Sequence, residues 1–166
     1  PHHVSFDWGD TQRILRLDEL LRGGDLHSRE SFMAGQYDPV SVPARTLPPM
    51  FVDALGPVTG RRAEAVALLA GWDGAMLEDR PEPVVYAAWT HALQRMLAED
   101  ELGEVAGAIS HANPVFLARV LADIDGASVW CDDTRTLVTE TCADTVGLAL
   151  DHALDRVTGG RAVALA

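Results

Sequence analysis

The chain has 166 residues, nearly half of them apolar, and a formal net charge of −12 in which every basic side chain is an arginine. That length can bury one real core, and the acidity excludes a nucleic-acid partner or an anionic membrane surface, both of which need a basic face. No apolar run is long enough to cross a bilayer, and the lysine-free, alanine-rich composition suggests a GC-rich coding sequence of the bacterial kind.

Residues 1–7 read as extended. Gly9 and Asp10 end that stretch, and Asp10 is placed to cap a helix that runs to Arg22 and stops at Gly23-Gly24. Projected at about 100° per residue, Ile14, Leu17, Leu20 and Leu21 form one apolar arc. Arg13 falls inside it, between Leu17 and Leu20, and Arg16 sits at its edge. A guanidinium in a packing face is costly unless an anion or carbonyl oxygens meet it. From spacing alone the expectation is therefore a core ion pair at Arg13.

A short second helix follows, with Ser28 as cap, through about Gln36. Tyr37-Asp38-Pro39 is a turn, and Asp38 or Ser41 is placed to cap a third helix over about 39–55. Pro43 fits its first turn, whereas Pro48 and Pro49 should bend it. Residues 61–71 read as a helix whose narrow face is Ala63, Val66, Ala67 and Ala70, ended by Trp72-Asp73-Gly74. Glu82-Pro83 opens the longest helix, through about Ala98. Its core side is Val85, Trp89, Ala92 and Met96, with Tyr86, Leu93 and Leu97 beside them. Asn113-Pro114 starts another helix to about Ala122, residues 123–133 read as loop, and a last helix spans about 136–157. No stretch alternates with period two. The expectation is a single all-α domain over residues 1–166, six or seven helices in an irregular bundle.

No element carries a catalytic motif of its own. GxSxG, HExxH and a glycine-rich phosphate loop are absent. Glu140, Asp144, Asp151 and Asp155 fall on one face of the last predicted helix, and a solvated face explains them better than a cation site does. Asp7 and Asp10 suit turn and cap roles. His91 and His152 read as surface or interhelix contacts, and His2 and His3 stand at the chain start. Trp72, Tyr86, Trp89 and Trp130 are either core or an aromatic pocket for an acyl group.

The stretch Trp8–Leu21 resembles part of the β-subunit of penicillin acylases, which are N-terminal-nucleophile hydrolases. The likeness continues, in the same order, through Gln36–Met50, Leu68–Trp89 (with WDG followed by RPEP) and Trp130–Leu154. The resemblance implies a helical region of an acylase whose Ser, Thr or Cys nucleophile heads the β-subunit, with its own α-amino group as base. It also implies an oxyanion hole built on an Asn, followed shortly by an active-site arginine at the position of Arg13. The present chain begins at Pro1, so nucleophile and Asn would lie upstream. A family calcium site uses an Asp in the stretch that here ends at His2 and His3, so no calcium ligand and no cofactor is carried over. The chain is then expected to be an interior fragment, inactive alone. Its partners would be the rest of the acylase and a small N-acyl substrate, in the periplasm or outside the cell. The rival expectation is an acidic all-helical binding module without enzymatic activity.

Cys131 and Cys142 are the only cysteines. They suit two buried thiols, or one disulfide closing a short loop, which a periplasmic location would permit.

Overall fold

The computed structural model describes residues 11–24, 26–108 and 113–159. Among them lie seven α-helices, two 3-10 stretches and no strand, so the chain is all-α. The helices are α1 (Gln12–Arg22), α2 (Arg29–Gln36), α3 (Val42–Leu55), α4 (Gly60–Leu69), α5 (Glu82–Leu102), α6 (Pro114–Leu121) and α7 (Cys142–Thr158).

The core forms where α5 and α7 pack along each other and α3, α4 and α6 close over them. Trp89 is fully buried, lies 5.0 Å from the ring of Phe51 and donates its indole N–H to the Val146 carbonyl oxygen at 3.0 Å. Burying that donor without a partner would cost free energy, so one side chain both fills the core and ties three helices together. Leu93, Leu97, Leu117, Leu150 and Leu154 complete the interior. Trp72 meets Tyr86 at a tilt and Trp130 meets Phe116 edge to face. The aromatic side chains are thus distributed through the packing, and they do not line one acyl pocket.

Local chemistry sets the boundaries. Ser28 and Thr141 each form a capping box, and Asn113 accepts from two backbone N–H groups at the start of α6. Ser41, rather than Asp38, caps α3, which stays helical across Pro48 and Pro49. Asp10 lies outside the described residues, and Thr11 stands at the cap of α1 without a side-chain bond.

Three expectations are corrected. The buried face of α4 is Ala65 and Leu69, not the Ala63, Val66, Ala67 and Ala70 stripe. The larger Leu69 outweighs the alanines, and Arg62 turns toward α7. Residues 124–131 are a 3-10 stretch, entered through Asp123 and kinked at Asp125 and Gly126, all at positive φ. Finally, α7 begins at Cys142 rather than near Thr136, because Thr141 and Asp144 close the capping box there. Glu140 therefore precedes the helix and accepts from Asp133 N–H and the Thr136 hydroxyl. The supposed acidic face is divided among separate tasks: Asp144 caps, Asp151 pairs with Arg62, and Asp155 pairs with Arg61.

The Arg62 guanidinium lies flat against α7 over Gly147, where a Cβ would stand 2.8 Å from its Nη1, and forks onto Asp151 at 2.9 and 2.6 Å. Cys131 and Cys142 are joined as a disulfide, Cα–Cα 4.9 Å, that links the end of the 3-10 stretch to the first residue of α7.

Candidate functional site

The site around Arg13 is built from three segments. The chain between α2 and α3 is pinned first. Asp38 accepts the Val40 N–H at 3.2 Å in a local turn. Val40 then bridges antiparallel to Ala75, with Ser41 N–H donating to the Gly74 carbonyl and Met76 N–H to the Pro39 carbonyl, both at 2.9 Å. Gly74 has φ +79°, and a Cβ there would sit 2.8 Å from the Ser41 oxygen, so only glycine lets the two strands of chain approach. The rest of the turn closes on itself: Asp73 accepts Ala75 N–H at 3.0 Å, and the Trp72 indole donates to the Ala75 carbonyl at 3.3 Å. Just beyond, Arg80 pairs with Glu82 at the start of α5, which holds that buried carboxyl below its usual range. The WDG turn and the residues that follow it are therefore a brace for residues 39–41, and the RPEP run ties off the start of α5.

Helix α1 lies across this brace. Arg16 forks onto Asp38 at 2.8 and 2.6 Å and reaches Glu19 at 2.8 Å, and Glu19 accepts from Arg45 of α3 at 2.6 Å. Asp38 and Arg16 are each about four-fifths buried as side chains. The pairing lowers the Asp38 carboxyl and raises the Arg16 guanidinium, through the charged hydrogen bonds first.

Between α1 and residues 35–43 lies an open cavity of about 550 Å³, with Arg13, Arg16, Leu17 and Leu20 on one wall and Asp38–Pro43 on the other. A second cavity of about 490 Å³, between α1 and α2, shares Leu17, Leu20 and Asp38 and is lined further by Leu21 and Phe32. Arg13 is exposed and forms no ion pair with the described residues. The core ion pair expected there is corrected: α1 buries no residue, and the pair is made one turn on, by Arg16. Arg16 was visible in sequence only as the charge at the edge of the apolar arc, and its partner Asp38 only as a turn residue.

His2, His3, Asp7 and Asp10 lie outside the described residues. Among the described residues no group of His, Cys, Asp and Glu side chains is arranged to hold a metal ion, and no helix is long and apolar enough to cross a membrane.

The penicillin amidase family profile matches residues 1–162. The chain belongs to that family. Its members hydrolyse amide bonds, and the match takes in every helix described above. No curated protein matches the chain.

Proposed function

We propose that the chain is the helical part of a penicillin-acylase-type amidohydrolase that cleaves the amide of a β-lactam or other N-acyl substrate, and that Arg13 serves its active site. The observation that carries this reading is the contrast between two arginines on one cavity wall. Arg16 is fully committed to Asp38 and Glu19, whereas Arg13, one turn earlier, presents a guanidinium with no carboxylate on it among the described residues. A planar cation left unspent can fork onto a carboxylate or donate to a carbonyl or to the free amino group of a nucleophile. The brace beneath it fixes the wall it faces, and fixed charge is what stabilises a transition state.

In this reading the nucleophile and the oxyanion Asn come from elsewhere in the acylase, and the chain alone does not turn over. The exposed apolar faces of α1 and α2, with Ile14, Leu17, Phe32 and Met33, pack against that remainder. The compartment is periplasmic or extracellular, in keeping with the disulfide.

The test is Arg13→Leu in the complete enzyme. Because Arg13 is exposed, stability should stay within about 0.5 kcal/mol of wild type. The acylation rate, read by single-turnover hydrolysis of a chromogenic amide, should fall about 100-fold or more. A near-wild-type rate refutes the role of Arg13. Saturable amide hydrolysis by this chain alone refutes the placing of the nucleophile elsewhere.

A further inference from the structure

The two helices that pack most extensively carry nearly the same pentapeptide at the same place: HALQR over 91–95 in α5 and HALDR over 152–156 in α7. The leucines, Leu93 and Leu154, are core. The fourth positions differ and are used differently, Gln94 accepting the Asn113 N–H and Asp155 pairing with Arg61. The histidines and arginines lie one helical turn apart, on one face of each helix. All four line a single cavity of about 390 Å³ between α5 and α7.

This cavity has an apolar floor and a polar rim. Ala92, Ala153 and Met96 supply the floor, and His91, Arg95, His152 and Arg156 supply the rim. Its one acid, Glu99, is occupied by Arg95 at 2.9 Å. Arg156 forms no ion pair with the described residues. An arginine in the last turn of a helix is often there for the helix dipole alone. That accounts for Arg156, and Glu99 accounts for Arg95, but neither accounts for the two imidazoles set beside them on the same cavity.

We propose that the groove between α5 and α7 binds a small carboxylate bearing a short apolar tail. Arg156 takes the carboxylate, His91 and His152 flank it with ring N–H donors, and the tail lies on Ala92, Met96 and Ala153. The volume and the balance of an apolar lining with a few convergent polar groups are those of small-molecule sites. A bare phosphate would leave the floor unused, and a neutral ligand would leave Arg156 unmet.

The experiment uses the complete protein and hexanoate, with hexanamide and inorganic phosphate as comparisons. The readout is local: the imidazole NMR resonances of His91 and His152, assigned through His91→Gln and His152→Gln. Hexanoate should shift both resonances saturably. Hexanamide should bind about tenfold or more weaker, and so should hexanoate to Arg156→Gln. The proposal is overturned if hexanoate leaves these resonances unmoved, if hexanamide matches hexanoate, or if Arg156→Gln binds hexanoate as wild type does. Phosphate binding as tightly as hexanoate also overturns it, because the rim is then a non-selective anion patch.

Discussion

Helices α1 and α5 make opposite use of their apolar side chains, which fill about half of the positions in each. On α1 most apolar residues share one arc, with Arg13 inside it, yet no residue is buried and Ile14, Leu17 and Leu21 face solvent. On α5 the apolar residues run round much of the helix with little separation, and ten positions from Glu82 to Ala98 are buried. Amphipathicity reports that a helix has something to cover, and only contacts report what covers it. In α5 the cover is α7. For α1 the ties within the described residues are a line of charges, Asp38–Arg16–Glu19–Arg45, and its apolar stripe stays exposed.

The largest effect is expected in the α5 half. Trp89→Ala removes the Phe51 contact and the indole hydrogen bond to Val146 at once, and should cost about 3–5 kcal/mol in urea unfolding. A loss under 1 kcal/mol would mean that α5 is no more central than α1. Next comes the disulfide. The two cysteines are 11 positions apart, and opening so short a loop should cost about 2–3 kcal/mol on the chain-entropy account. Cys131→Ala with Cys142→Ala, or reductant, should therefore lower the melting temperature, and an identical melt with and without reductant would count against the bridge.

Asp38→Asn probes the α1 half. It leaves Arg16 without its anion in a partly buried place, with an expected cost of about 1–2 kcal/mol after allowance for solvent. Hydrogen exchange should quicken in α1 and leave α5 protected, so equal acceleration in both would erase the contrast between them. In wild type the same pair is present above the ordinary carboxylate range and is lost as pH falls through the depressed Asp38 value.

The smallest effect is a slope. At the end of α5, burial first and then the neighbouring Asp100 push the Glu101 carboxyl up to about 7 from an ordinary 4.5. Between those values the folded chain keeps a proton that the unfolded chain releases, so stability falls as pH rises through the window. Glu101→Gln should flatten that slope and make the protein more stable than wild type above it, as followed by melts from pH 4 to 8. An unchanged slope would place the proton elsewhere.

Much of this was legible in sequence because it is local. The caps at Ser28 and Asn113 depend on residues a few positions apart, and Trp89 and Leu93 repeat at helical spacing. The α7 start was misplaced only because Thr136–Glu140 continues a helical pattern that the stronger Thr141 box overrides. What stayed hidden is non-local. Nothing near Arg16 in sequence names Asp38, 22 positions on, and nothing near Asp151 names Arg62, 89 positions back. The candidate site was legible to the extent of its arginine, and the family likeness lent Arg13 a task. Its wall was not legible, because the WDG turn meets residues 38–41 through backbone groups that every sequence carries.

Gly147 has a consequence for how this sequence can change over time. Glycine inside a helix is about 1 kcal/mol worse than alanine, so replacement by alanine would ordinarily be an improvement available in one step. Here the Arg62 guanidinium fills the space that the new methyl group would need. The guanidinium is the far end of a flexible, part-exposed side chain, so the methyl group can enter by displacing it, at the expense of the fork onto Asp151. One small residue thus sets helix propensity against an ion pair, and a substitution that gains the first is charged against the second.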